Sequence, residues 1–193
     1  MTVELAEIAR YMRMGRTVPG GALAERVVKL REGALKVVRP SRVWRRFHVS
    51  GDAIGSGGVR LNIFGTLARH MTGCYAAYLA CGTIGAEFDA FQRRASVSSG
   101  TDALIVQAIG AALIEKLMDS VEDEIRSELS AGESLVSRYS PGYGDFPLTA
   151  QRVLLELLDA PLKVGVSLTD TLLMVPSKSV SAIIGVRKGV QSK

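Results

Sequence analysis

The sequence predicts an α+β domain built on a mostly antiparallel, twisted sheet flanked by helices. Two observations predict it. Apolar residues recur at helical spacing over Ala22 to Val38 and over Thr101 to Leu129. Between and after these stretches lie strand-like runs that are joined without regular β-α-β alternation, which argues against a parallel sheet. A length of 193 residues suits one domain. Its expected layout is a single unit over 1–193, with a helical part at 1–40 and a sheet and ligand-binding part at 41–193.

The elements follow in order. Val3 to Met12 places Leu5, Ile8 and Met12 on one helical stripe, and Val18-Pro19-Gly20-Gly21 ends it. Ala22 to Val38 repeats the pattern with Leu23, Val27, Leu30 and Ala34, and Pro40 stops it. Arg42 to Val49 alternates, with Val43, Phe47 and Val49 on one face and Arg42, Trp44, Arg46 and His48 on the other. Gly51 to Gly58 reads as a glycine-rich turn, and its spacing does not fit a dinucleotide fingerprint. Phe64 to Thr72 reads as a short helix, Tyr75 to Cys81 as a buried strand, and a further helix starts at Ala86. Thr101 to Leu129 is the longest helix, capped by Thr101 or Asp102, with Ile105, Ile109, Leu113, Leu117, Val121, Ile125 and Leu129 in one stripe. Its first half is apolar almost all round and reads as buried; its second half is acidic outside the stripe and reads as lying on the surface. A loop over Arg138 to Pro147, a helix over Ala150 to Leu158, and a final pair of strands over Leu172 to Pro176 and Ser179 to Val186 complete the chain.

Composition narrows the function classes. Hydrophobic residues at 47% and charged residues at 22% are ordinary for a folded chain. No apolar run suits a membrane span or a signal peptide, so a cytoplasmic protein is expected. Cys74 and Cys81 have no metal-ligand spacing and read as buried, reduced thiols. His48 and His70 read as structural or surface histidines, and no metal site is expected. The net charge of +5 is unevenly spread. Arg26 to Arg46 is basic and Glu115 to Glu133 acidic, and both read first as solvated faces. Nucleic-acid binding by the basic run is disfavoured, because Trp44 and Phe47 are the only aromatics interleaved with it.

The chemistry concentrates in Arg138-Tyr139-Ser140-Pro141-Gly142-Tyr143-Gly144-Asp145-Phe146-Pro147. Two prolines and two glycines impose an irregular path that leaves backbone groups free to meet a ligand. Arg138 supplies a planar fork suited to a carboxylate. Tyr139 and Tyr143 offer aromatic faces to a flat base or a cation. Such groups suit a zwitterionic nucleoside, and they equally suit an ordinary ordered loop. Glu115, on the apolar half of the long helix, needs a partner to keep its charge. A ligand cation, Arg138, Lys116 or solvent would each serve.

Read as R-x-x-P-G-Y-x-x-x-P, this loop resembles the signature of the reactivation domain of cobalamin-dependent methionine synthases. Val164-Gly165-Val166-Ser167-Leu168-Thr169 is similar to that family's glycine, leucine and threonine pattern. Met174-Val175-Pro176-Ser177-Lys178-Ser179-Val180-Ser181 matches its M-x-P-x-x-S-V-S element. Cys81-Gly82-Thr83-Ile84-Gly85 is similar to a turn of its short, free-standing members. The match is good over residues 75 to 186. There is no counterpart of the aspartate that the full-length domain contributes from its N-terminal region, nor of the family's tyrosine beyond the final strand.

The resemblance implies the activation-domain fold and S-adenosylmethionine as the ligand. It also implies that the chain supports reductive remethylation of cob(II)alamin on a separate methionine synthase subunit. Arg138 would hold the methionyl carboxylate, and Glu115 would balance the amino or sulfonium charge. Ser140, Pro141 and Gly142 would meet the nucleoside through their backbone, with Tyr143 packed beside it. No catalytic side chain is implied, since positioning the methyl group is the whole task. The chain lacks a D-x-H-x-x-G motif, so the partner must bring the cobalamin. A flavodoxin or ferredoxin type donor would supply the electron. The rivals are reactivation of another corrinoid methyltransferase and a non-catalytic module that docks on a corrinoid protein.

Overall fold

The computed structural model describes residues 2–15 and 17–188. Its elements are α1 (Leu5–Tyr11), α2 (Gly21–Val37), β1 (Ser41–Ser50), β2 (Ala53–Ser56), β3 (Val59–Asn62), α3 (Gly65–His70), β4 (Cys74–Thr83) and α4 (Ala86–Ser98). There follow α5 (Gly100–Ser127), β5 (Glu133–Leu135), α6 (Ala150–Leu158), α7 (Ala160–Val164), β6 (Ser167–Leu168), β7 (Met174–Val175) and β8 (Ser179–Lys188). Six strands form one sheet in the order β3-β2-β1-β4-β8-β5, and every pairing is antiparallel. The α+β class and the antiparallel sheet are as the sequence predicts.

The sheet works as a two-sided wall because alternate residues of its strands face opposite ways. On β4, Ala77, Leu79 and Cys81 join Phe47 of β1 and Ile183 of β8 in a core covered by α6 and α7. Val43 and Val49 pack against the same core, so the alternation expected of β1 is real. On the opposite face Ala76, Tyr78 and Ala80 join Ala182, Ile184 and Val186 beneath Met118, Val121 and Ile125 of α5. The small residues matter, because a helix can then lie close to the sheet. A Cβ on Gly82 would stand 2.8 Å from Met118 Sδ. The first half of α5 leaves the sheet and is enclosed by α1, α2 and α4 through Ile105, Ile109, Leu113, Phe88 and Val27. The expected contrast between the halves of the long helix is therefore real.

Three expectations need correction. Gly51 to Gly58 is more than a turn: Ala53–Ser56 starts a hairpin with Val59–Asn62 that extends the sheet past β1. The cap of α5 is Ser99, whose hydroxyl accepts from the amides of Thr101 and Asp102. The last two strands do not pair with each other. β7 pairs with β6 in a separate small sheet, while β8 is an inner strand of the main sheet between β4 and β5.

The charge runs face each other. Arg42 meets Glu124 at 2.8 Å and Arg46 meets Glu133 at 2.5 Å. Trp44 Nε1 donates to Glu128 at 3.0 Å. The outer surface of β1 thus pairs with the acidic half of α5 and with β5, and these groups are not merely solvated. No helix among the described residues is long and apolar enough to cross a membrane.

Candidate functional site

The segment after β5 follows the edge of β8 before it turns away. Val136 N–H donates to Gly185 O, and Tyr139 and Ile183 exchange both backbone bonds at 2.9 and 2.8 Å. This pins Arg138 between the sheet edge and α5. The chain then folds on itself: Tyr143 N–H donates to Ser140 O, Phe146 N–H to Tyr143 O, and Gly142 N–H to Phe146 O. Phe146 anchors the turn by sinking into the core, where it is 1% exposed. Asp145 accepts from both the amide and the hydroxyl of Thr66, which hold its carboxyl below the usual range. Gly144 is required where it stands, because its φ is +56° and a Cβ there would lie 2.6 Å from Thr66 Oγ1.

Between this turn, α5 and the start of β8 lies a cleft of about 460 Å³. Its walls include Glu115, Arg138, Ser140, Pro141 and Tyr143, which are five of the six residues singled out in the sequence. Gly142 is exposed and does not line the cleft, and its amide is already committed to Phe146. Tyr139 does not reach the cleft. Its ring packs on His70 and Phe146, and its hydroxyl lies within donating distance of Thr66 Oγ1 and Tyr143 O. His70 Nε2 is 2.7 Å from Ser137 O, in keeping with a structural histidine.

The remaining walls are Leu148, Gln151, Met174, Ser179, Val180 and Ser181. Sequence reasoning did not name these as site residues. Four of them belong to the M-x-P-x-x-S-V-S element, so a signal was present and was read only as a family mark. Ser181 is 2% exposed, and its hydroxyl has no hydrogen-bond partner among the described residues. Its backbone is also informative. Ile183 spends both main-chain groups on Tyr139, and two-residue alternation puts those of Ser181 on the same outer edge of β8.

Arg138 has the most crowded electrostatics. Its Nη2 lies 3.0 Å from Glu115 and 2.8 Å from Asp119, and its Nε lies 3.0 Å from Glu122. The three acids are four and three residues apart on α5 and so share one face. Burial pushes the Glu122 carboxyl up, Arg138 opposes that, and Asp119 adds to it. Nη1 is buried and has no partner among the described residues. An orphaned charged donor and an orphaned hydroxyl on two residues that line one cleft are groups that a polar, anionic ligand would complete.

With the geometry in place, the relatives give the cleft its context. The family model for the activation domain of vitamin B12 dependent methionine synthase matches residues 73–191. The chain belongs to that family. All six residues singled out in the sequence fall inside the matched segment. Among solved structures, the MetH reactivation domain bound to AdoHcy is similar, with a TM-score of 0.61 and 18% identity, over 100% of this chain and 78% of that one. That likeness shows the activation-domain fold. Among curated proteins none matches.

Proposed function

We propose that this activation domain binds S-adenosylmethionine in the cleft between α5, the 138–147 turn and β8. There it supports reductive remethylation of cob(II)alamin carried by a separate cobalamin-dependent methionine synthase subunit. The observation that carries the reading is the pair of buried, unpartnered polar atoms, Arg138 Nη1 and Ser181 Oγ, on two cleft-lining residues. Family membership and the AdoHcy bound by the similar MetH domain support the choice of ligand. The cleft volume falls within the range of small-molecule sites.

The chain's own part is to bind and orient. Arg138 Nη1 would take the methionyl carboxylate, and Glu115, 42% exposed and already charge-paired, would face the ammonium or sulfonium. Tyr143, 60% exposed, and Leu148, 40% exposed, offer apolar surface at the mouth for the nucleoside. Ser140 and Pro141 would flank it. When bound, the sulfonium supplies a methyl group to a cobalt reduced by one electron, and leaves as a neutral thioether. Holding the sulfonium at an open cleft converts an encounter of three bodies into one of two, which is where positioning gains rate. The cobalamin belongs to the partner, and a flavodoxin or ferredoxin type protein would serve as electron donor.

Calorimetric titration tests the reading with S-adenosylmethionine alone and with a cobalamin-loaded partner present. Saturable heat that disappears in Arg138→Ala is expected. Absence of binding in both mixtures would refute the ligand and favour a module that only docks.

A further inference from the structure

The acids around Arg138 outnumber what one guanidinium can neutralise. Glu115, Asp119 and Glu122 all contact it; Arg126 also reaches Glu122, at 3.8 Å, but is itself matched by Asp123 at 2.6 Å, so the cluster carries four negative charges against two positive. They surround the guanidinium and do not converge on a metal position among the described residues. A ligand carboxylate placed on Nη1 would be the fourth anion on that arginine. A neutral amino-acid nucleoside would therefore enter a site already negative by two charges, and only a ligand with an extra cation offsets this.

From this we infer that Asp119 and Glu122 are specificity-determining residues that make the cleft select sulfonium nucleosides over the thioether left after methyl transfer. The inference rests on the reading that the cleft takes S-adenosylmethionine. Neither residue lines the cleft; both act through the field they set and through the arginine they hold. Two features make the field effective. The Glu122 side chain is 19% exposed and Arg138 20% exposed, so these charges are only partly screened. The cleft is walled by Met174, Val180 and Leu148 on its other sides, and low-dielectric walls focus the field on whatever lies between. The same arrangement orients product release. Once the methyl group has left, the ligand loses its sulfonium charge, and the attraction that held it there falls.

The magnitude sets the readout. Two net negative charges roughly 8 Å from a unit cation, at an effective dielectric of about 20 and cut to about a third by the Debye length of about 8 Å at physiological salt, give about a tenfold preference. The ratio should shrink in strong salt, where the Debye length falls to about 3 Å.

Three probes separate the possibilities: S-adenosylmethionine, S-adenosylhomocysteine, and sinefungin, in which an amine-bearing carbon replaces the sulfonium. Their affinities are measured for the wild type and for Asp119→Asn/Glu122→Gln, at low and at high salt. Both cationic probes should bind the wild type about tenfold tighter than the thioether, and the double variant should cut that ratio to about threefold or less. Affinity for the thioether should hold or rise. Should the double variant fail to fold, Asp119→Asn alone, whose side chain is 66% exposed, should still lower the ratio by about twofold. An unchanged ratio, or equal losses for all three probes, would overturn charge selection and reduce the acids to a scaffold for Arg138. If no probe binds the wild type, the ligand assignment itself falls, and this inference with it.

Discussion

Replacing Arg138 by alanine should destabilise the domain before any ligand is considered. In the sequence Arg138 is a loop residue, and its loss would be expected to affect binding alone. The structure makes it the only cation touching three carboxylates of α5 among the described residues. The contact with Glu122 is the sheltered one, with side chains 20% and 19% exposed, and removing Arg138 leaves that poorly solvated carboxylate only the longer 3.8 Å contact with Arg126, at a cost of about 1–2 kcal/mol. Glu115 and Asp119 are 42% and 66% exposed, so water screens them and each adds only a few tenths of a kcal/mol. The total is about 2 kcal/mol, which for a chain of this size lowers the melting temperature by about 4–8 °C.

The penalty should depend on pH. Burial already holds the Glu122 carboxyl above its ordinary 4.5, and without Arg138 it must rise further. Between 4.5 and that raised value the folded state binds more protons than the unfolded, so stability falls as pH rises. The deficit should be complete at neutral pH and shrink as pH falls towards 4.5. Arg138→Ala/Glu122→Gln should regain about 1 kcal/mol at pH 7 and lose most of this dependence. Circular dichroism melts of the wild type and both variants between pH 4.5 and 8 supply the data. A single variant that melts within about 1 °C of wild type, or a double variant no more stable than the single, refutes the reasoning.

Ser181→Ala should leave the unliganded protein unchanged or slightly more stable, since it removes a buried hydroxyl without a partner, and should weaken S-adenosylmethionine by about 5- to 10-fold; parallel melts and titrations would expose an effect of the same sign on both. Gly110→Ala should cost about 1–3 kcal/mol by overpacking, because the new Cβ would meet the Phe88 ring at 2.6 Å and Lys178 Cε at 2.8 Å; chemical denaturation checks it, and a neutral result would mean that α4 and α5 separate easily. Burial alone pushes the Cys81 thiol up to about 12, so Ellman's reagent at pH 8 should leave it unreacted until the protein unfolds, and rapid labelling of Cys81 in the folded protein would contradict its place in the core. Phe146→Ala should cost about 3–5 kcal/mol and release the 138–147 turn, seen as new protease cleavage there; an intact turn would show that Asp145 and Thr66 suffice to hold it.

What was legible in the sequence was what local chemistry decides. The stripe from Ile105 to Leu129 announces a long helix because helical period depends only on neighbours three and four apart. Ala150–Leu158 is found at its predicted bounds for the same reason. The 138–147 turn is legible because proline and glycine restrict their own backbones, and five of the six site residues named from sequence do meet at one cleft. The hairpin over Ala53 to Asn62 was lost because four-residue strands give too little alternation to outweigh the glycines around them. Tertiary structure alone decided the rest. Met174–Val175 looks like a partner for β8, yet pairs with Ser167–Leu168, because pairing depends on which edge is free in space. Asp119 and Glu122 follow Glu115 at helical spacing, but nothing local says which cation will face them. That depends on the Tyr139–Ile183 bridge, which ties the loop to the edge of β8 and brings Arg138 to a helix that ended eleven residues earlier in the chain, at Ser127. A charge cluster and a buried orphan hydroxyl are properties of distances between segments, and a sequence carries no distances.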